Sequence, residues 1–180
     1  MAPKARTQKR RQLRVGLSAF DYPIALSASV ARSMRANRSK NTSPELIVRA
    51  ILRRLGFPGY RLHWPIAGRP DIVFPARRIA IFVHGCFWHA CERCNRSSPK
   101  NNAEFWSAKF ALTLIRDHNT KNQLEAHRWR VVVVRECELD NAKALRHTAR
   151  RLKKILELAA RRSRLGPRKN RQRSSGLGRW

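Results

Sequence analysis

The chain's 180 residues carry 40 Lys plus Arg against 11 Asp plus Glu, a formal charge of +29. That length allows one domain with a real core and appended tails. The longest apolar runs are far too short to span a bilayer, so the charge points to a polyanionic partner, DNA or RNA ahead of an acidic membrane surface.

Residues 1–30 lack periodicity, and residues 161–180 hold eight basic residues and no acid. Both read as disordered basic arms flanking an ordered domain over 31–160, with nonspecific phosphate attraction as their functional reading. Val15 to Val30 superficially echoes a signal peptide, but Asp21 and Pro23 interrupt it, and a cytoplasmic, nucleoid-associated protein fits the rest better. Ser43, Pro44 and Glu45 then predict a helix start, with Ser as cap, Pro at the first helical position and an acid in the first turn. Ile47, Val48, Ile51, Leu52 and Leu55 recur at helical spacing until Gly56 ends the run. Tyr60–Trp64 and Asp71–Phe74 read as strands joined through a turn at Gly68 and Pro70, and Arg78–His84 as a third.

A helix over Ala103–Ala126 is expected to bury Phe105, Trp106, Phe110, Leu112 and Ile115. The run Val131–Val134, within a strand over Arg130–Arg135, is apolar and β-branched enough to predict a central strand buried on both faces. Asp140 or Asn141 caps a last helix whose Leu145, Ala149, Leu152, Leu156 and Ala159 form one stripe. The element order is α-β-β-β-α-β-α.

The third strand runs straight into chemistry, with His84, Cys86, Phe87, Trp88, His89, Cys91 and Cys94 within eleven residues. Cys86, Cys91, Cys94 and Cys137 are all the cysteines the chain has. Three follow a C-x4-C-x2-C spacing and the fourth follows the predicted strand at 130–135, so two strand ends can share one tetrahedral site. Four thiolates suit structural Zn2+ best. The competing readings are two disulfides, disfavoured for an intracellular chain, or unpaired buried thiols. His89 is a lower-ranked substitute ligand.

With so few acids, carboxylates for a catalytic metal can be searched exhaustively. Asp71 stands out, because it opens a strand directly after a Gly-Arg-Pro turn and adjoins the strand bearing His84. The bland reading of the histidines is a surface or phosphate contact. For Asp117 it is a helix ion pair with Arg116 or Lys121, and for Glu45 a first-turn acid satisfying the helix dipole. Phe87 and Trp88 are adjacent aromatics that suit either core packing or insertion between base pairs.

The motifs GRPDIVF at 68–74, HGCFWH at 84–89, EFW at 104–106, RD at 116–117 and WRVVVVREC at 129–137, in that order, closely resemble the very-short-patch repair DNA mismatch endonucleases. The resemblance covers roughly 32–157. It implies an α/β fold with a restriction-endonuclease-like core, a central mixed β-sheet flanked by helices. It implies a Mg2+-dependent nick in one strand beside a T:G mismatch, the product of 5-methylcytosine deamination. Asp71 and the backbone carbonyl of Val83 would then contact Mg2+; His84, His89 and Asp117 map onto the remaining active-site residues, and Glu45 onto a position of functional importance. Phe87, Trp88 and Met34 map onto the mismatch-contacting residues.

Two departures from the family pattern matter. Val83 stands where the family often has Thr, which a carbonyl contact survives, and Thr113 stands where it commonly has Asn, which points to weaker or differently tuned activity. The resemblance further implies a monomer acting on double-stranded DNA, linked functionally to a DNA cytosine methyltransferase and a repair polymerase. The alternatives are a restriction-type endonuclease of the same fold, or a zinc-stabilised DNA-binding protein whose nuclease site has decayed. The presence of Asp71, His84, His89 and Asp117 together argues against decay.

Overall fold

The computed structural model describes residues 28, 32, 40–94, 96, 99 and 101–164. Among the described residues, short 3-10 turns aside, the helices and strands form in the expected order: α1 (Ser43–Arg54), β1 (Arg61–Leu62), β2 (Ile72–Phe74), β3 (Ile79–His84), α2 (Ala103–Ala126), β4 (Arg130–Arg135) and α3 (Ala142–Arg164). Met34 and the basic arms expected at 1–30 and beyond the last helix lie outside the described residues, apart from Ala28 and the helical turn that carries α3 to Arg164. No helix among the described residues is long and apolar enough to cross a membrane.

Local chemistry explains most boundaries. Thr42, one residue before the expected cap, is the N-cap of α1, which puts Pro44 at the second helical position and Glu45 at the third. The Glu45 carboxylate reaches back to accept the Thr42 N–H at 3.4 Å, the reciprocal bond of a capping box. Gly56, at φ 79°, takes the left-handed conformation that ends the helix. β1 is only two residues long because His63 also turns left-handed, at φ 48°. Asn141 rather than Asp140 starts α3, its Oδ1 accepting the Ala144 N–H at 2.9 Å.

The four strands form one mixed sheet in the order β1-β2-β3-β4. β1–β2 and β2–β3 are antiparallel, while β3 and β4 run parallel with Ile79 opposite Arg130 and His84 opposite Arg135. A parallel neighbour needs a crossover, which α2 supplies. One sheet face presents Ile79, Ile81, Val132 and Val134 to Val48 and Leu52 of α1 and to Leu152 and Leu156 of α3, and these side chains are the core.

Two expectations are corrected. β4 is not central: it lies at the end of the strand order among the described residues, and only alternate residues, Val132 and Val134, are buried. Val131 and Val133 instead line a cleft on the opposite face. On α2 the buried residues are Trp106, Phe110 and Leu124, whereas Leu112 is exposed and Ile115 is 57% exposed. Apolar composition there overstated burial: Ile115, with Leu114, belongs to a cleft wall and not to a core layer.

The turn before β2 is wedged against that wall. Gly68 has φ 69°, and a Cβ there would collide with Thr120 Cγ2 of α2 and sit 3.3 Å from the Phe82 ring. Gly68→Ala therefore combines a left-handed penalty of about 1–2 kcal/mol with a steric clash. We expect it to lower the melting temperature. Thr120→Ser, which deletes the clashing methyl, should restore the clash component in a double-mutant cycle and leave the backbone component. Equal destabilisation in the presence of Thr120 and of Ser at that position would show that the turn does not press on α2.

Candidate active site and candidate metal centre

The cleft has a volume of about 1590 Å³ and is walled by the start of α1, the turn before β2, the end of β3, the middle of α2 and the outer face of β4. Asp71, Val83, His84, His89, Asp117, Glu45 and Trp88 all line it. Residues scattered over 45–117 in sequence are thus brought to one surface. Thr113, half-buried one turn before Asp117, is not part of the lining.

Asp71 sits at the entry to β2, where its Oδ2 accepts the Val83 N–H at 2.7 Å across the strand pair. Burial raises its pKa above the usual carboxylate range, the Val83 hydrogen bond opposes that, and the negative charge of Glu45 adds to it. Two carboxylates facing one cleft favour a cation between them. Glu45 is only 3% exposed, and its oxygens are already engaged. They accept from the Asn41 N–H at 3.0 Å, from the Thr42 hydroxyl at 3.0 Å and from Arg49 at 2.8 Å. Glu45 is therefore the helix-start acid of the bland reading, and it also contributes charge at the cleft.

His84 and His89 stack with centroids 3.7 Å apart and planes 10° from parallel. Burial, then the neighbouring His89, lowers the His84 pKa to about 4, so this imidazole is neutral at neutral pH. His89 Nδ1 lies 2.5 Å from Asp117 Oδ2. Burial alone would raise the Asp117 pKa, but the His89 hydrogen bond, together with the neighbouring His89, His84 and Arg116, holds it below the usual value. An ionised carboxylate only accepts, so Nδ1 donates, which in the neutral imidazole makes Nε2 the acceptor. Ligand atoms of His84, His89 and Asp117 lie within 4.8 Å of one another.

The aromatic pair divides. Phe87 is half-buried, edge-on to Trp106 at 4.9 Å and to Phe110 at 5.5 Å. Trp88 is 36% exposed at the cleft, with its ring 5.2 Å from Phe87. Adjacent side chains on this segment point different ways, so one serves as packing and the other faces solvent.

None of Cys86, Cys91, Cys94 and Cys137 is in a disulfide, and their sulfurs lie within 4.8 Å of one another. The Cys91–Cys137 separation is 3.8 Å. Zinc-to-sulfur bonds of about 2.3 Å in a tetrahedron place sulfurs about 3.8 Å apart, so this edge already has the span of a metal site. Burial raises the Cys91 pKa, but the N–H groups of Arg93 and Cys94 outweigh it and lower the value to about 7. Burial pushes Cys86 and Cys137 up. The Cys137 N–H nevertheless points at Cys86 Sγ, 3.3 Å away. Buried thiols this crowded, with N–H groups aimed at sulfur, fit a metal that takes them as thiolates.

Sequence reasoning passed over Glu136. Its carboxylate accepts the Cys86 N–H at 3.0 Å, bonding the end of β4 to the loop after β3. The available signal was its place beside Cys137, since an acid flanking a ligating thiol often orients the site. Glu138 was also missed: it is bonded to Arg93 at 2.9 Å and to Arg151 of α3 at 2.5 Å.

A family model described as DNA mismatch endonuclease Vsr matches residues 27–96. The chain is 44% identical over 125 residues to type II nicking enzyme V.XorIIP of Xanthomonas oryzae pv. oryzae, covering 69% of this chain and 89% of that one. It is 39% identical over 122 residues to type II nicking enzyme V.NaeI of Lentzea aerocolonigenes, covering 65% and 73%. To the DNA mismatch endonuclease Vsr of Escherichia coli K12 it is 33% identical over 112 residues, covering 62% and 72%. The mixed sheet with flanking helices and a cysteine cluster is the restriction-endonuclease-like α/β fold of these enzymes. By the extent and identity of these matches the chain belongs to the Vsr family of DNA endonucleases.

Proposed function

We propose that this DNA endonuclease nicks one strand beside a T:G mismatch, using Mg2+ at Asp71 and a structural Zn2+ at the four cysteines. The observation that supports it best is the meeting of Asp71 with the stacked His84–His89 pair and Asp117 in one cleft, beside a half-exposed Trp88. Hydrolysis of a phosphodiester needs an activated water, neutralisation of phosphate charge and protonation of the leaving oxygen. Bound Mg2+ supplies phosphate neutralisation and lowers the pKa of water; Asp71 and the Val83 carbonyl are the groups to hold it, with Glu45 adding negative charge. His89, oriented by Asp117 through Nδ1, takes the proton of the attacking water at Nε2. Neutral His84, stacked against it, is placed to hydrogen-bond the phosphate and adds no like charge to repel the proton that His89 gains.

Trp88 is the wedge for weakly stacked mismatched pairs, with Phe87 buttressing it from the Trp106–Phe110 cluster and Met34 as a further contact. Such an enzyme acts as a cytoplasmic monomer on double-stranded DNA, downstream of a cytosine methyltransferase and upstream of a repair polymerase.

The deciding test is incubation of purified protein with Mg2+ and labelled T:G or fully paired duplex. One labelled strand should be cut in the T:G duplex only, and chelation should stop the reaction. Asp71→Ala should slow nicking by about a thousandfold or more, the equivalent of the several kcal/mol that a metal contributes at phosphate. Binding of T:G duplex should change little. Near wild-type nicking by that variant would remove Asp71 from the mechanism, and equal cutting of paired duplex would remove the mismatch reading.

Metal analysis should find zinc at one ion per chain. Cys137→Ser should lower soluble yield and melting temperature, because metal-binding free energy at such a site is folding free energy. Zinc-free protein with four freely titratable thiols and unchanged melting would sink the assignment.

Trp88→Ala should weaken T:G binding more than paired-duplex binding, by about 1–3 kcal/mol, the worth of a base–aromatic stack. With 2-aminopurine beside the mismatch, fluorescence should rise on binding wild type and far less on binding the variant. An equal rise for both proteins would place the wedge elsewhere.

A further inference from the structure

The charge excess is unevenly placed. α2 carries Lys109, Arg116 and Lys121 against Glu104, Asp117 and Glu125, which balance. Over residues 142–161, α3 carries Lys143, Arg146, Arg150, Lys153, Lys154 and Arg161 as exposed cations, with exposed His147 among them. The one acid on this stretch is Glu157, 3.9 Å from Lys153. Arg151 is set apart from this group, being bonded to the Val133 carbonyl and to Glu138.

Helical spacing sorts these charges onto the outer side. Leu152 and Leu156 are fully buried against the sheet. Lys143, His147, Arg150, Lys154 and Arg161 step three, four or seven residues at a time along one stripe, flanked by Arg146 and Lys153. The stripe spans about 27 Å at 1.5 Å per residue, the length of about eight base steps of duplex.

Its location separates it from the active cleft. α3 packs on the sheet face formed by Ile79, Ile81, Val132 and Val134, whereas the cleft is lined by Phe82, Val131, Val133 and Arg135 of the other face. No residue of α3 lines the cleft. One protein therefore presents the cleft and a basic helix face on opposite sides of a sheet, and a single stretch of straight duplex cannot occupy both.

We propose that the outer face of α3 is a second duplex-binding surface, which holds the phosphate backbone of one DNA segment while the cleft engages another. The choice of DNA rests on the DNA-nicking reading of the cleft: a long polymer engaged by the cleft supplies further duplex at high local concentration. Contacts are to phosphate, so the surface is sequence-independent and strongly salt-sensitive. Its effect is to keep the enzyme attached when the cleft releases one site, favouring transfer between segments.

The test is a sandwich assay with the full chain. Protein is saturated with a short immobilised T:G duplex, and capture of a second, fluorescent, fully paired duplex is measured near physiological salt. The triple variant Arg146→Gln, Arg150→Gln, Lys154→Gln changes only exposed residues remote from the cleft. It should lose about tenfold or more of second-duplex capture, with a salt-dependence slope shallower by about three. Its nicking of short T:G duplex should stay within about twofold of wild type, which by the rate arithmetic is less than about 0.5 kcal/mol.

Restoring charge with Lys at the two arginine positions should restore capture. Capture unchanged in the Gln variant would overturn the proposal, since the basic termini, intact in both proteins, would then hold the second duplex. Preferential binding of anionic vesicles or duplex RNA over duplex DNA would overturn it in favour of those partners. Absence of nicking by both proteins would strike the cleft reading alone, because second-duplex capture is read without cleavage.

Discussion

The parallel pairing of β3 with β4 is the interaction on which the functional surface depends. Its register sets Val83 opposite Val134 and His84 opposite Arg135. The chain just beyond each strand end therefore meets its counterpart, Cys86 against Glu136 and Cys137. A slip of one residue in a sheet sends every side chain to the other face. Here a slip of β4 against β3 would carry Val132 and Val134 into the cleft and turn Val131 and Val133 toward the core leucines. One ladder thus fixes both the thiol cluster and the histidine stack, and α2, as the crossover that parallel pairing requires, delivers Asp117 to the same place.

The scarcity of acids sharpens what each one does. Eleven carboxylates serve 40 cationic side chains, so a buried acid in this chain is always within reach of a partner. Glu45 closes the start of α1, Glu138 joins the loop at Arg93 to α3, and Asp140 holds Arg96 at 2.6 Å. Asp71 and Asp117 differ, because their principal partners are a backbone N–H and an imidazole. Asp117 also has Arg116 at 3.4 Å, but an acid whose shortest bond is to an N–H or an imidazole is suited to organise a cation or a proton. The unmatched cations collect elsewhere, on α3 above all, where repulsion between them favours any polyanion that lies along the helix.

Sequence made the local features legible and left the layered ones obscure. The bounds of α2 and β4 follow from periodicity and β-branching, and the four cysteines could be grouped because none was left over. Asp71 could be found because acids are few. That Val131–Val134 form an edge with one face in a cleft could not be read, since an apolar run looks the same whether its second face meets a helix or a substrate. Ile115 misled for the same reason: apolarity reports what can be buried, and the position of the cleft decides what is. Glu45 showed the reverse ambiguity, because the capping acid and the cleft acid are the same residue, and only the engaged oxygens reveal that the first role consumes most of its hydrogen-bonding capacity.

The loop from Gly85 to Cys91 explains why the thiol cluster and the cleft lie side by side. The His89 N–H bonds the Gly85 carbonyl at 3.2 Å, and the Cys91 N–H bonds the Cys86 carbonyl at 3.0 Å, so the backbone folds back in successive turns. Consecutive side chains consequently leave in different directions: Cys86 to the sulfur cluster, Phe87 to Trp106 and Phe110, Trp88 to the cleft, and His89 to Asp117. A loop this short has little apolar surface of its own to hold that shape. The sulfur cluster and the aromatic cluster anchor it from two sides, and Gly85 admits the close approach of the Trp88 ring, 3.3 Å from where a Cβ would stand. Loosening either anchor would shift His89 relative to Asp117, so the thiol cluster, which does not touch the imidazole, helps to hold the contact that selects its tautomer.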